Sequence, residues 1–175
     1  MRTLCIIPTG DEIRDGIVQD LDSPEIMQQM LRYNPSAQVT RIAPIRDEED
    51  RIFDTIRTVV GYGPDLVVLI GGSGGGHRHS STLGKDYTHT AIANYLDTYS
   101  EHCIYGKNGH MWTRLLCGKK NGTVIINVPG PYEEAKAAFQ AFLSSIEEDA
   151  DLERASRRMA QAVFEKYPTG AVESI

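Results

Sequence analysis

The residues best suited to chemistry form a glycine-rich segment, Gly71-Gly72-Ser73-Gly74-Gly75-Gly76, directly after the apolar run at residues 65–70. Glycines adopt positive φ readily and can turn successive N–H groups toward one point, which forms a nest for an anion. Basic or hydrogen-bonding residues follow at once: His77, Arg78, His79 and Lys85. A glycine-rich loop can also be a plain flexible connection, but its place after a buried run favours a phosphate site.

Two common phosphate-binding motifs do not fit this segment. A Walker loop needs Lys and then Ser or Thr after its last glycine, whereas His77 and Arg78 follow Gly76. The dinucleotide pattern G-x-G-x-x-G also fails after Gly72 and Gly74. The sequence therefore excludes a P-loop kinase and an ordinary NAD enzyme.

A second anion contact is predicted at Pro129-Gly130-Pro131, which follows an apolar run and opens a helical pattern. The free N–H groups at the start of a helix attract anions. The same tripeptide also makes an ordinary strand-to-helix turn. We therefore interpret it as a contact only in combination with the glycine-rich segment.

Two carboxylates, Asp47 and Asp86, each precede a helical pattern. Acids at this position commonly cap the helix or occupy its first turn. Both would still lie at the edge where a ligand binds. If that ligand includes a nucleoside triphosphate, one or two carboxylates would be needed to hold Mg²⁺.

The composition fits one ordinary domain: 175 residues, of which 41% are apolar and 24% charged. The net charge of −6 argues against a binder of nucleic acid that relies on phosphate neutralisation. No apolar run approaches the roughly 18 residues needed to cross a bilayer, and the start of the chain lacks the pattern of a signal peptide, so we expect a cytoplasmic protein without membrane contact. The three cysteines lack a C-x-x-C spacing and are predicted to be buried thiols.

The elements that must position these residues alternate along the chain. Short β-branched runs predict strands at residues 3–7, 38–43, 65–70, 102–105 and 123–128, and helical patterns follow Pro24, Asp47, Asp86 and Pro131. This alternation predicts a three-layer α/β/α sandwich with a mostly parallel central sheet. Ligands of such sheets bind at the carboxyl ends of the strands, here the loops at residues 8–16, 71–85 and 129–134.

The end of the chain, from residue 149, carries an amphipathic helical pattern that Pro168 and Gly170 terminate. We therefore predict an α/β domain at residues 1–148 and a helix and tail at residues 149–175. Packing on its own domain and contact with another subunit are both open for this helix. Elsewhere, His77, His79 and His89 fit donors to ligand oxygens better than metal ligands, and Trp112 fits a core or interface anchor.

Five pieces of sequence occur in an order that resembles the molybdopterin-binding domain of molybdenum cofactor biosynthesis proteins, a MoaB/Mog-like family. They are Ile7-Pro8-Thr9-Gly10-Asp11-Glu12-Ile13 with Gly16, then Asp47, then residues 65–74, then Asp86-Tyr87-Thr88, and finally Val128-Pro129-Gly130-Pro131. The resemblance spans about residues 3–146. Each piece alone is weak, but all five in this order are specific.

The resemblance implies a three-layer α/β fold that often forms a homotrimer. Members of this length adenylylate molybdopterin with Mg-ATP, so the implied ligands are molybdopterin, ATP and Mg²⁺. Implied partners are further copies of the chain and other molybdenum cofactor proteins.

The resemblance also assigns roles to residues. It gives ligand binding to Gly71, Gly72, Ser73, Gly74, Gly75, Arg78, Thr88, Pro129 and Gly130, and substrate binding to Thr9, Gly10, Asp11 and Glu12. It makes Asp47 and Asp86 catalytic, with Asp47 as the magnesium ligand.

The chain departs from the family pattern at one place. Family adenylyltransferases carry an aspartate within a few residues of the glycines, whereas this chain has His79 there and reaches Asp-x-Thr only at Asp86. Residues 75–85 therefore resemble an insertion. This departure keeps two alternatives open: a carrier, chaperone or regulator that binds molybdopterin without chemistry, and an acidic interaction domain that has lost its ligand.

Overall fold

The computed structural model describes residues 1–74 and 86–175. The strands in chain order are β1 (Thr3–Pro8), β2 (Gln38–Arg41), β3 (Leu66–Ile70), β4 (Tyr99–Gly106), β5 (Met111–Lys120), β6 (Thr123–Val128) and β7 (Val172–Ser174). The helices are α1 (Asp11–Arg14), α2 (Asp22–Tyr33), α3 (Glu49–Gly61), α4 (Tyr87–Tyr95), α5 (Tyr132–Glu147) and α6 (Leu152–Phe164).

The seven strands form one sheet in the order β2-β1-β3-β6-β5-β4-β7. The pairs β2-β1, β1-β3 and β3-β6 are parallel, and the remaining pairs are antiparallel. Strand β3 is buried along its whole length, as expected for a central parallel strand covered on both faces. The predicted three-layer α/β/α sandwich with a parallel centre is confirmed.

Each face of the sheet packs its own set of helices. Alternate residues of β3 divide between the faces: Val68 packs with α2, α5 and α6, whereas Leu69 packs with α3 and α4. This alternation follows from the two-residue period of a strand. Both layers leave the carboxyl edge of the parallel strands to the loops.

The antiparallel side of the sheet differs from the sequence prediction. The sequence indicated one strand at residues 102–105, whereas β4 is longer and forms a hairpin with β5, which was not predicted. Arg114 interrupts the apolar pattern of β5, so no periodicity marks this stretch as a strand. The short β7 was also missed because its pairing with β4 is a long-range contact.

The C-terminal helix α6 packs on its own sheet. Ala155, Met159, Ala160 and Val163 are fully buried in the same core as Phe139 of α5. Tyr167, just beyond α6, meets Trp112 of β5 edge to face at a ring separation of 5.3 Å. The apolar stripe of α6 therefore faces this domain, which was one of the two open alternatives.

Two smaller predictions have mixed outcomes. Cys5 and Cys117 are buried free thiols as predicted, whereas Cys103 is only partly buried. Burial raises the pKa of the Cys117 thiol to about 12. Within residues 1–74 and 86–175, no helix is long and apolar enough to span a membrane.

Candidate functional site

The loops that follow β1, β3 and β6 begin side by side. Pro8 pairs with Ile70, and Ile70 pairs with Val128 in the parallel register. Directly beyond these pairs, the Thr9 N–H donates to the Ile70 carbonyl at 2.9 Å and the Gly71 N–H donates to the Val128 carbonyl at 3.0 Å. The sheet therefore joins three of the predicted ligand segments at one edge, as expected for strand ends in a parallel sheet.

The described part of the glycine-rich segment has a backbone that L side chains rarely adopt. Gly71, Gly72 and Gly74 have φ of 93°, 57° and 106°. A methyl group on Gly71 would lie 2.9 Å from the Thr9 carbonyl oxygen. Positive φ and close approach thus explain why glycine occupies these positions.

Three successive N–H groups of this segment have no acceptor among the described residues. They are those of Gly72, Ser73 and Gly74, and Gly72 and Gly74 have positive φ. Successive N–H groups in such a turn can form a nest for an anion. The phosphate site at this segment stays a prediction.

The start of α5 lies beside this segment. A methyl group on Gly130 would be 3.9 Å from Cα of Gly71, so the two backbones are neighbours. The N–H groups of Glu134 and Ala135 bond to the Pro131 carbonyl, whereas no described residue accepts from those of Tyr132 and Glu133. The positive end of a long helix therefore lies at the same edge as the predicted phosphate site.

The first turn of helix α4 packs against the glycine-rich segment and Thr9. The hydroxyls of Thr9 and Thr88 share a hydrogen bond of 2.8 Å, and the His89 N–H donates to the Gly72 carbonyl at 3.3 Å. Thr88 is fully buried in this arrangement. His89 was predicted to donate to ligand oxygens, but its buried ring instead bonds Glu101 at 2.7 Å, and burial lowers its pKa.

Asp86, the residue before α4, does not cap that helix with its side chain. Its carboxylate accepts two hydrogen bonds from Arg114 of β5, from Nε at 3.0 Å and from Nη2 at 2.6 Å. The Asp86 side chain is only 3% exposed, so this pair neutralises a buried charge. The Asp86 carboxylate is therefore paired with a charged side chain of the protein itself.

Asp47 lies in a contrasting environment, in the loop between β2 and α3. Its Oδ1 is buried without a hydrogen-bond partner among the described residues. Burial, and then the nearby negative charges of Glu12 and Asp11, raise its pKa to about 6. A carboxylate in this position gains from a cation that relieves the repulsion.

One basic residue offsets part of this negative charge. Arg46 lies 3.6 Å from Asp11 and 3.4 Å from Asp15, with all three side chains well exposed. Exposed pairs of this kind contribute little binding energy. Among the described residues, Arg46 therefore compensates the negative charge of Asp11, Glu12 and Asp47 only weakly.

The donor set fits Mg²⁺ bound together with a ligand rather than an all-protein metal site. In the described ranges, no group of three or more His, Cys, Asp or Glu side chains is arranged to hold a metal. Mg²⁺ usually binds through one or two carboxylates and completes its shell with water and substrate phosphates. The buried, unpartnered oxygen of Asp47 is suited to that role.

Two predicted contacts, Gly75 and Arg78, lie outside the described residues, as do His77 and His79. Arg114 is the residue of this edge that sequence reasoning missed. Its signal was a charge inside the apolar run of residues 111–117, since a buried charge requires a partner.

Comparison with known structures agrees with this architecture. The molybdopterin biosynthesis enzyme MoaB from Thermus thermophilus is 21% identical with a TM-score of 0.65, over 90% of this chain and 98% of that chain. CinA from Thermoplasma acidophilum, of unknown function, is 20% identical with a TM-score of 0.59, over 85% and 97% of the two chains. The tungsten cofactor synthesizing protein MoaB from Pyrococcus furiosus is 16% identical with a TM-score of 0.52, over 89% and 98%. Identities this low show a shared fold.

Sequence comparison gives the family directly. No curated protein matches the chain at a significant level. A family described as a probable molybdopterin binding domain matches residues 5–148, which contain every described segment of the candidate site. The chain therefore belongs to the family of probable molybdopterin binding domains found in molybdenum cofactor biosynthesis.

Proposed function

We propose that this protein binds molybdopterin and adenylylates it with Mg-ATP. The observation that carries the proposal is the run of three N–H groups at Gly72, Ser73 and Gly74 without a described acceptor, beside the start of α5. Such an edge suits the phosphate groups of both substrates. Membership of the family supports molybdopterin as one of them.

The reaction joins two phosphates. An oxygen of the molybdopterin phosphate forms a bond to the α-phosphorus of ATP while the bond to the bridging oxygen breaks, and pyrophosphate leaves with the electron pair. The substrate itself supplies the nucleophile, so the protein contributes position and charge stabilisation. The N–H groups of the glycine-rich segment would hold phosphate oxygens while negative charge shifts to the leaving group.

Asp47 is proposed as the magnesium ligand. When bound, Mg²⁺ would offset the charge of the triphosphate and of the departing pyrophosphate. The raised pKa of Asp47, about 6, follows from burial and from Glu12 and Asp11, and a divalent cation would favour the ionised form. Thr9, Gly10, Asp11 and Glu12 remain proposed contacts to substrate.

The test is incubation of the purified protein with molybdopterin and Mg-ATP, with pyrophosphate release and the adenylylated pterin followed by chromatography. We expect both products in equal amounts. Asp47→Asn should abolish turnover and leave molybdopterin binding within about threefold of wild type. Asp50→Asn, an exposed acid at the start of α3, is the matched control and should keep wild-type turnover. Equal loss of binding and turnover in Asp47→Asn would contradict the magnesium role.

One observation favours a second candidate, a carrier that binds molybdopterin without chemistry. Asp86, the second proposed catalytic carboxylate, is buried against Arg114 and is not open to a metal in this arrangement. A carrier would bind molybdopterin, release no pyrophosphate from ATP and show no requirement for Mg²⁺. The incubation above separates the two functions directly.

Assembly is part of the same proposal. Ile17, Val18 and Leu21 are apolar yet 78%, 48% and 53% exposed, on the loop between α1 and α2. Exposed apolar groups of this kind support contact with further copies of the chain or with other molybdenum cofactor proteins. Light scattering should give three times the chain mass of 19.4 kDa for a homotrimer.

A further inference from the structure

Arg114 contacts two points on the chain that residues 75–85 separate. Its backbone N–H donates to the Ser73 carbonyl at 2.9 Å. Its guanidinium donates to Oδ2 of Asp86 at 3.0 Å and 2.6 Å. One residue of β5 is thus bonded on either side of this stretch, where the glycine-rich segment departs from the sheet and where α4 begins.

The Arg114–Asp86 ion pair is largely buried and has close neighbours. Asp86 is 3% exposed and Arg114 30% exposed, so water does not replace the bond readily. A methyl group on Gly74 would lie 2.9 Å from Met111 of β5 and 3.3 Å from Oδ1 of Asp86. The first residues of β5 therefore form the surface on which Gly74 and Asp86 rest.

We propose that Arg114 is the positioning residue of the ligand site: its side chain ties Asp86 to β5, beside the backbone bond to Ser73, and so fixes the glycine-rich segment for binding. Asp86 then acts as the buried anchor of this tie. The proposal rests on the proposed function in one respect, that this segment binds molybdopterin. Arg114 thereby connects the β4-β5 hairpin to the loop that follows the parallel strand β3.

The chain offers a matched control pair. Arg41 donates from Nε at 2.9 Å and from Nη2 at 2.7 Å to a single oxygen of Asp20, in the same geometry as the Arg114 pair. Arg41 is 34% exposed, close to the 30% of Arg114. Asp20 is 12% exposed and so less buried than Asp86 at 3%. Arg41 ends β2, at the opposite edge of the sheet from β5, so its loss removes a comparable ion pair away from Ser73 and Asp86.

The first measurement is amide hydrogen exchange of the protein without ligand. In Arg114→Ala, we expect the peptide covering residues 86–95 to exchange at least about tenfold faster than in wild type, because Asp86 loses its bond to β5 at the start of α4. Arg114→Lys, which keeps a cation at this position, should show an intermediate rate. Arg41→Ala should leave this peptide unchanged. Wild-type exchange in Arg114→Ala would overturn the proposal.

The second measurement is molybdopterin binding. We expect Arg114→Ala to weaken binding at least about tenfold, and Arg114→Lys to recover most of that loss. Free guanidinium at millimolar concentration can neutralise Asp86 in Arg114→Ala but cannot tie it to β5. Little recovery with guanidinium supports the tie, whereas full recovery shows that charge alone matters and overturns the proposal.

The two measurements separate this inference from the proposed function. If wild-type protein fails to bind molybdopterin, the proposed function fails, and the exchange experiment still tests the tie. If wild-type protein binds molybdopterin and Arg114→Ala binds it equally well, the proposed function stands and the positioning role is wrong.

Discussion

Asp47 and Asp86 occupy opposite environments, although both precede a helix at the carboxyl edge of the sheet. Asp86 is 3% exposed and bonded twice to Arg114. Asp47 has a buried oxygen without a described partner and faces the negative charges of Glu12 and Asp11. The first carboxylate is part of the internal structure, and the ionised form of the second is destabilised by its surroundings.

This difference suggests different roles for the two carboxylates: Asp86 stabilises the fold, and Asp47 is the candidate for binding a ligand. A buried ion pair holds its members in place because the loss of either partner leaves an uncompensated charge. A carboxylate with a raised pKa and a buried oxygen that has no partner among the described residues is a candidate for a functional position. We therefore expect loss of the Arg114 partner of Asp86 to destabilise the protein, and removal of the Asp47 charge to stabilise it at high pH.

The largest expected effect is on the Asp86 side. Arg114→Met leaves the Asp86 carboxylate buried without its partner, which should lower the free energy of unfolding by about 3 kcal/mol. Arg41→Met, at the more exposed control pair, should cost less than about 1 kcal/mol. Urea denaturation at neutral pH measures both. Equal losses would mean that burial of Asp86 does not distinguish the two pairs.

The next effect concerns two glycines of positive φ, Gly72 in the glycine-rich segment and Gly16 in the loop between α1 and α2. Gly72 has φ of 57°, and a methyl group there would overlap the Thr88 side chain. Gly16 has φ of 73° and nothing within 4 Å of such a methyl group. Gly72→Ala should therefore destabilise by about 2 kcal/mol or more, and Gly16→Ala by about 1 kcal/mol from backbone strain alone. Thermal unfolding of both variants tests this, and equal losses would show that the contact with Thr88 relaxes freely.

A smaller effect of opposite sign is expected at Asp47. Its folded-state pKa of about 6 lies above the ordinary value, so the folded protein binds its proton more tightly than the unfolded chain. The contribution to stability is present below about pH 4 and is lost as the pH rises through about 6. Asp47→Asn should match wild type near pH 4 and be more stable by about 1 kcal/mol near pH 8, allowing for solvent screening.

The comparison with the Asn variant is needed because Asp22 titrates in the same direction. Burial, and then the charge of Asp20, raise the Asp22 pKa to about 7. Both proteins keep Asp22, so the difference between their pH profiles belongs to Asp47. A difference that does not change between these pH values would contradict the raised pKa.

The smallest effect concerns magnesium alone. Mg²⁺ near its dissociation constant should stabilise wild type by about 0.4 kcal/mol at pH 8, because it binds only the folded state. Asp47→Asn should show no such gain, while Asp50→Asn should behave as wild type. Potassium chloride at equal ionic strength controls for screening. The same gain in Asp47→Asn would show that Mg²⁺ binds at another site and not at Asp47.

Local patterns were enough to predict the parallel half of the fold. The run at residues 65–70 became β3, with the glycine-rich segment directly after it, because a continuous apolar stretch between turn signals has few alternatives. In the antiparallel half, part of β4 was predicted at residues 102–105, whereas β5 was missed because it mixes apolar residues with Arg114 and its pairing depends on β4 and β6. Pairing between distant segments leaves little trace in a local pattern.

By itself, the sequence determined the α/β class, the glycine-rich segment at the end of a buried strand, and the carboxylates that precede α3 and α4. Only the tertiary structure decided the burial and the charged neighbours of those carboxylates. Asp86 and Arg114 are 28 residues apart in the chain and meet because β5 returns beside β6. The environment of Asp47 depends likewise on α1, which follows β1 and carries Asp11 and Glu12. Residue type and spacing are local properties, whereas burial and charge partners are set by contacts between distant parts of the chain.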